Sequence, residues 1–485
     1  MPIELKNIFK KLPHINWKLI TLHPFLLWLL FVQRIFEIYF NGKIKMPAAG
    51  TIAMIFVSFA VTFFIYLLIG ILIKNKIKSS LISSLLISCL LFYGLIYNQI
   101  YHLIILKIQL LSFHANISSM IILSIIFIVI FAWVKKSKYE FIKLNGYLNV
   151  LFAILFLFNF SQLDFKGSYN VKLNNSFDDS KVKNVSTKPN IYYILVDAYT
   201  NPVSLKKYWG YDDTLLTNYL LRKEFFIGKN SRSNYITTMY SLTASLNMSY
   251  LSFDSSYFYS VYQIQSLGNL LNNSRAINYL KKEGYKFYNF SLFKVSHQKK
   301  YYNDIFFKKT TNLINGTFLA MLLNRIEENI TPLYKTNLKI VSLVKKKAME
   351  EDNSPFVIYA HLMMPHFWYY FKSNGQVVTD KKYITQTENM HEYLDQLKFT
   401  NKVLINMLDT IFRYSKTKPV IIIQGDHGAR IVKGKGRDEE SHSILNAYYF
   451  PDQDYSLLTE DENPVNSFRV VLKKYFNPAI SLIKN

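Results

Sequence analysis

Asp426-His427-Gly428 follows an apolar run that reads Pro419-Val-Ile-Ile-Ile-Gln-Gly425. A carboxylate oxygen beside an imidazole nitrogen suits a borderline-soft divalent cation such as zinc. An Asp-His pair also occurs in ordinary polar turns, so the rest of the chain must supply the remaining parts. Asp197 closes a second apolar run, Asn190-Ile-Tyr-Tyr-Ile-Leu-Val196. Such an Asp can cap a strand-to-helix turn, but two apolar runs that each end in Asp favour a shared cation. Thr237 and Thr238 precede Leu242, Ser245, Leu246 and Ser249, which recur at helical spacing. A hydroxyl at a helix amino terminus meets the positive end of the dipole and free backbone donors, which stabilise an alkoxide and bind a phosphoryl oxygen. A plain N-cap threonine is the ordinary alternative. Of the pair, Thr238 is favoured as the nucleophile.

Three histidines complete the set. His361 and His366 follow a third apolar run, Pro355–Ala360, and His442 comes fifteen residues after His427. They could hold a second metal or the phosphate of a substrate. Two carboxylates, a hydroxyl and an imidazole are enough ligands for one divalent metal, which lowers the pKa of the hydroxyl and stabilises charge on a phosphoryl oxygen. No Gly-rich Walker loop is present.

The elements that must position these groups alternate in type. The runs at 190–196, 355–360 and 419–425 read as buried strands, and ligands of open α/β sheets bind beyond the carboxyl ends of such strands. A helix is expected just after Thr238, another over 266–283 with Gly284 as its cap, and a short strand over 285–289. A long helix over 389–411 places Leu394, Leu397, Leu404, Met407, Leu408 and Ile411 on its core face. Residues 301–350 are Lys-rich and helical in part, with no role assigned. Strands alternating with helices predict an α/β domain over 190–485 with a mainly parallel sheet.

Before residue 160 the composition changes. Half of the 485 residues are hydrophobic and 16% are aromatic, yet the net charge is +25. The apolar excess falls in five candidate membrane spans at about 19–40, 47–73, 80–97, 118–134 and 144–160, which make 1–160 a helical membrane domain. Lys6, Lys10, Lys11 and Lys18, then Lys74, Lys76 and Lys78, then Lys135, Lys136, Lys138 and Lys143 fall on one side of these spans. The opposite loops carry Lys43, Lys45 and Lys107. This bias predicts a cytoplasmic amino terminus and, with an odd number of spans, an exported second half. The polar stretch 161–189 reads as a linker. The single cysteine, Cys89, lies in the third span, so the second half carries no disulfide. The basic charge lacks the compact basic-aromatic module of a nucleic-acid binder and fits attraction to anionic lipid head groups.

Taken with these motifs, the chain resembles the alkaline phosphatase and sulfatase superfamily. Within it, the layout is similar to the membrane-anchored head-group transferases: phosphoethanolamine transferases, lipoteichoic acid synthases and phosphoglycerol transferases. The resemblance implies metal ligands at Asp197, Thr238, Asp426 and His427, with Thr238 as nucleophile and Ser241 three residues on as in the family pattern. It matches His361 and His366 to a histidine pair five apart, and His442 to a later histidine. These three are implied as second-metal or substrate-phosphate ligands, the first two also as catalytic groups. It further implies zinc or manganese as cofactor, a phospholipid donor, an envelope glycan or glycolipid acceptor, and a bacterial inner-membrane location with the catalytic domain outside. The chain departs from the phosphoethanolamine transferases in having Asp197 where they have Glu, Met364-Pro365-His366-Phe367 for Gly-Ser-His-Gly-Pro, Ala429 for Glu, and none of their cysteines. No Cys-x-Pro-x-Arg-like run lies near Thr238, which argues against sulfate-ester chemistry. A membrane-tethered phosphodiesterase or phosphatase, and a non-catalytic envelope-assembly protein, are the other readings.

Overall fold

The computed structural model describes residues 19–40, 48–103, 115–163, 171–177, 188–253, 261–298, 316–323, 333–350, 352, 354–378, 389–434 and 436–484. The chain forms two compact units, residues 1–168 with 304–327 and residues 169–303 with 328–485. Residues 316–323 thus belong with the amino-terminal helices, although the sequence reading carried the second domain unbroken from 190 to 485.

The first unit is helical: α1 (His23–Phe40), α2 (Ala48–Ile73), α3 (Lys76–Leu91), α4 (Tyr93–Leu103), α5 (Ala115–Lys136) and α6 (Ile142–Ser161). Among the described residues three helices are long and apolar enough to cross a membrane, at 51–73, 117–136 and 142–161. A fourth span is counted if α3 and α4 form one, although they bend by 81°. Five straight spans are therefore not what is seen. The third candidate, 80–97, is broken at Phe92, and the first, 19–40, carries Gln33, Arg34 and Glu37 within an 18-residue helix. At the bend the Gly94 N–H donates to the Gly316 carbonyl at 2.7 Å. A Cβ on Gly94 would stand 2.9 Å from Gly316 Cα, so only glycine permits this approach.

Polar groups tie these helices together. Asn149 of α6 accepts the N–H groups of Leu22 and His23 on Oδ1 and donates to the Ile20 carbonyl, which caps the start of α1. His23 is fully buried, with one ring nitrogen on Ser84 of α3 and the other on Asn145 of α6 at 3.1 Å. Interhelical hydrogen bonds of this kind hold apolar helices where lipid offers no hydrophobic driving force.

The second unit is an α/β layer structure. Its strands are β1 (Val171–Leu173), β2 (Ile191–Val196), β3 (Phe226–Ile227), β4 (Leu251–Phe253), β5 (Lys286–Phe290), β6 (Phe356–Leu362), β7 (Val420–Gly425) and β8 (Asn446–Tyr449). Its helices are α7 (Pro202–Trp209), α8 (Thr214–Arg222), α9 (Thr238–Asn247), α10 (Val261–Asn272), α11 (Arg275–Lys282), α12 (Leu333–Met349), α13 (Met390–Tyr414), α14 (Gly436–His442) and α15 (Ser467–Tyr475).

Six strands form one sheet in the order β3-β8-β7-β2-β6-β5. β2, β5, β6 and β7 are parallel, whereas β8 runs antiparallel to β7 and β3 antiparallel to β8. The sheet is thus mixed, because β7 returns to β8 past only the seven-residue α14 rather than through a full crossover helix. The stretch expected as linker also holds β1, which pairs with β4. The helix expected over 266–283 is two, since the Ser274 side chain accepts from Ile277 N–H and caps α11 afresh.

Alternation along β2 explains the two cores. Tyr192, Ile194 and Val196 face one cluster with Leu397, Leu404, Met407, Leu408 and Ile411 of α13. Ile191, Tyr193 and Leu195 face the other with Leu242 and Leu246 of α9. Both faces are covered, which is why these strands read as unbroken apolar runs.

Candidate metal centre and active site

Strand register brings the acidic groups level. Val196 pairs with Leu362 on one side and with Gly425 on the other, so Asp197 and Asp426 leave the sheet side by side. The Asp197 N–H donates to the Leu362 carbonyl at 2.9 Å, fixing the turn. Asp426 Oδ1 accepts the N–H groups of Ala198 and His427, each at 2.9 Å, which leaves Oδ2 for another partner. Both carboxylates are fully buried. His427 donates from Nδ1 to the Gly428 carbonyl at 2.8 Å and so turns Nε2 toward Asp197 Oδ1 at 3.6 Å and Asp426 Oδ2 at 3.5 Å. Gly428 is obligatory, because a Cβ there would fall 1.8 Å from the Glu440 carbonyl oxygen.

Thr238 is the first residue of α9, with Thr237 as an extended N-cap whose side chain makes no capping bond. Thr238 Oγ1 donates to Asp197 Oδ2 at 3.3 Å. The turn that presents it is braced from below: Ser241 Oγ donates to the Tyr235 carbonyl at 2.8 Å and meets Ser233 Oγ at 2.9 Å.

The histidines separate. His361, inside β6 and fully buried, meets Tyr359 OH through Nδ1 at 2.8 Å and points Nε2 at Asp197 Oδ2, 3.4 Å away. His366 lies at the rim with Nε2 3.9 Å from Asp197 Oδ1, and its Nδ1 donates to the Phe367 carbonyl. His442, at the end of α14, donates from Nδ1 to the Ser233 carbonyl at 2.6 Å and sets Nε2 3.6 Å from Asp438. It braces the loop that leads to Thr238, and no hydrogen bond or ion pair joins it to Asp197 among the described residues.

Burial alone would raise the Asp197 carboxyl, but the facing His366, His361 and His427 hold it well below the usual range. Burial lowers the His427 imidazole despite the two carboxylates beside it. Asp197 Oδ1, Asp426 Oδ2 and His361 Nε2 are buried with no hydrogen-bond partner. Groups of ligand atoms from Asp197, His361 and Asp426, and from Asp197, His366 and His427, each lie within 4.8 Å of one another. Orphaned buried oxygens and a nitrogen that converge in this way fit a divalent cation, since such atoms cost stability when nothing meets them.

Several supporting residues carried no sequence signal. Gln396 of α13 donates to the carbonyls of Pro365, His366 and Trp368 and accepts the N–H groups of Tyr370 and Phe371, holding the His366 loop. Thr200 Oγ1 accepts the Ala429 N–H at 2.9 Å. Arg430 donates from Nη1 to the Ile236 carbonyl at 3.0 Å and from Nη2 to His366 Nε2 at 3.1 Å. A lone Gln within a helix and an Arg after a motif are too common to single out from type and spacing. Glu440 is fully buried beneath the 428–432 loop, and burial raises its carboxyl to about 7.

A family model described as Sulfatase matches residues 189–456, more than half of the chain. The chain belongs to the sulfatase family. Its carboxylates at adjacent strand ends, and the hydroxyl at a helix start beside them, lie within the matched sulfatase region. A search of curated proteins gives no match in sequence. Solved structures similar to it include the C-terminal periplasmic domain of phosphoethanolamine transferase EptC from Campylobacter jejuni, at 13% identity and TM-score 0.36, covering 60% of this chain and 90% of that one. The zinc complex of the corresponding EptC domain from Escherichia coli is similar at 11% identity and TM-score 0.37, covering 64% and 87%. A sulfatase from a glycosaminoglycan locus of Bacteroides thetaiotaomicron is similar at 14% identity and TM-score 0.39, covering 59% and 72%. Likenesses this remote carry no argument about substrate.

Proposed function

We propose that this sulfatase-family chain transfers a phosphorylated head group, of phosphoethanolamine or phosphoglycerol type, from a membrane lipid to an envelope glycan or glycolipid. The observation that carries the reading is the Thr238 hydroxyl, half-buried at the first turn of α9 and 3.3 Å from a buried Asp197 carboxylate. A hydroxyl in that place is a nucleophile for phosphorus. The residues around it, Ser233-Asn-Tyr-Ile-Thr-Thr-Met-Tyr-Ser241, hold no Cys-x-Pro-x-Arg-like run for sulfate-ester chemistry. Three or four apolar helices on the same chain fit a donor that lives in a bilayer.

Asp197, Asp426, His427 and Thr238 would hold one divalent cation, zinc or manganese. Bound there, it would lower the pKa of the Thr238 hydroxyl and offset charge on a phosphoryl oxygen. Thr238 Oγ1 attacks phosphorus, and the bond from phosphorus to the diacylglycerol oxygen breaks as the new P–O bond forms. His361 and His366 stand at the same carboxylate. His366, at the rim, is the better placed to take the Thr238 proton and pass it to the departing oxygen, and then to carry the proton of the acceptor hydroxyl back to Thr238. That acceptor then attacks the phospho-threonine and releases Thr238, so the kinetics are ping-pong. The amino terminus lies in the cytoplasm of a bacterium and the catalytic unit faces outward, as the lysine bias suggests.

The test is to incubate full-length protein with head-group-labelled phospholipid and no acceptor, then digest it and map the label. An adduct on Thr238 that is chased by added glycan supports transfer. Free head group released at the full rate without acceptor would indicate a hydrolase, and an adduct elsewhere would remove Thr238 from the mechanism.

A further inference from the structure

We propose that Arg430 is the group that receives a nonbridging phosphoryl oxygen of the substrate, with His366 as its resting partner. The inference rests on Thr238 as the attacking hydroxyl and extends that reading to the charge the site accepts. Arg430 follows Asp426-His427-Gly428-Ala429 directly, and its backbone is left-handed (φ 62°). Its guanidinium is held at two points. Nη1 donates to the carbonyl of Ile236, two residues before Thr238, and Nη2 donates to His366 Nε2. The loop beneath it is fixed as well, by the Ala429 N–H on Thr200 and by the contact of Gly428 with the Glu440 backbone.

Charge makes this more than a strut. Among the described residues no carboxylate stands within ion-pair distance of Arg430, although elsewhere in the unit Lys207, Lys372 and Lys474 each have one. An arginine carries five N–H donors in a planar fork and remains charged at any working pH. Two of its donors are spent on neutral acceptors here. The remaining ones make no hydrogen bond among the described residues, and the charge stands beside His366, whose Nε2 lies 3.9 Å from the buried Asp197 carboxylate. An incoming phosphodiester brings the missing anion, and its charge grows as the fifth oxygen bonds to phosphorus, so a fixed cation stabilises that state over the ground state.

The same bond redefines His366. Its Nδ1 hydrogen is given to the Phe367 carbonyl, so Nε2 carries the lone pair and spends it on Arg430. A nitrogen so engaged is not a metal ligand, even though it lies close enough to Asp197 and His427 to be one. When Arg430 turns to phosphate, the lone pair of His366 Nε2 is released to take the Thr238 proton, which it then gives to the leaving oxygen.

The experiment uses full-length protein in detergent, with inorganic phosphate as the probe and bound metal measured in parallel. Arg430→Gln should weaken phosphate binding by about 10- to 100-fold, the loss of one charge-assisted hydrogen-bond pair, with metal content unchanged. Arg430→Lys should recover part of the loss, because it restores charge without the fork; it also carries the comparison if the Gln variant does not accumulate. Wild-type phosphate affinity in both variants, or loss of metal together with phosphate, would overturn the proposal, the latter by making Arg430 a brace. Thr238→Ala separates the two readings. If it keeps transfer activity, the nucleophile is wrong, whereas the Arg430→Gln loss of phosphate affinity, measured again in the Thr238→Ala background, bears on Arg430 alone.

Discussion

Each unit buries a cluster of polar side chains around histidine, and the two clusters are finished differently. In the helical unit His23 is met on both ring nitrogens, by Ser84 and Asn145, and Asn149 fills the start of α1. In the α/β unit Asp197 Oδ1, Asp426 Oδ2 and His361 Nε2 face one another's residues without a hydrogen bond. A buried polar group costs stability unless it is paired. The first cluster pays that cost internally and serves packing, while the second leaves it outstanding and is completed from outside. The difference predicts opposite responses to substitution.

The largest effect is expected at the nucleophile. Thr238→Ala should abolish head-group transfer while keeping most bound metal, as read by product mass spectrometry and metal analysis on one preparation. Thr237→Ala, whose side chain caps nothing, should change the rate by less than about 3-fold.

Asp426→Asn should follow. The amide oxygen can still accept the Ala198 and His427 N–H groups, but the ligand charge is gone. Metal should be lost, while thermal unfolding of the metal-free protein should stay the same or rise, because two buried carboxylates no longer face each other. His23→Ala should do the reverse, costing about 1–3 kcal/mol of stability through loss of the ring's hydrogen bonds to Ser84 and Asn145, with metal content unchanged. Should His23→Ala strip metal, or should metal-free Asp426→Asn unfold earlier than metal-free wild type, the contrast between the clusters would fail.

A smaller effect concerns pH. Glu440 has its carboxyl raised to about 7 by burial, against 4.5 for the free group. A raised folded-state pKa gives stability that is complete below about 4.5 and is lost as pH climbs through about 7. Glu440→Gln should remove that dependence. The variant should be more stable than wild type at pH 8 by about 1–3 kcal/mol, less at pH 6, and level with it near pH 4 in unfolding scans. Equal differences at all three pH values would show that Glu440 does not titrate in this window.

Much of the α/β unit was legible because its signals are local. β2, β6 and β7 are unbroken apolar runs, and Asp197 and Asp426 stand at their ends where the register must bring them together. The core face of α13 follows from period alone, with five of its six expected residues fully buried and Leu394 partly so. What escaped depends on partners far along the chain. β3 has only two residues and β8 four, and both exist through pairing rather than through their own pattern. Likewise Gln396 and Arg430 act through loops 25 or more positions away, which neither type nor spacing reveals. The bend between α3 and α4 was hidden because hydropathy does not register a change of direction. His442 shows the converse. Its spacing suggested a ligand, and the structure puts its Nδ1 on the Ser233 carbonyl and its Nε2 3.6 Å from Asp438.

The central claim is that the unpaired atoms of Asp197, Asp426 and His361 mark a metal centre serving Thr238. Elemental analysis of full-length protein, wild type against Asp426→Ala and His427→Ala, tests it most directly. The account predicts a stoichiometric divalent metal in the wild type and its loss from both variants. Wild-type metal content in both variants would place the centre elsewhere and contradict it.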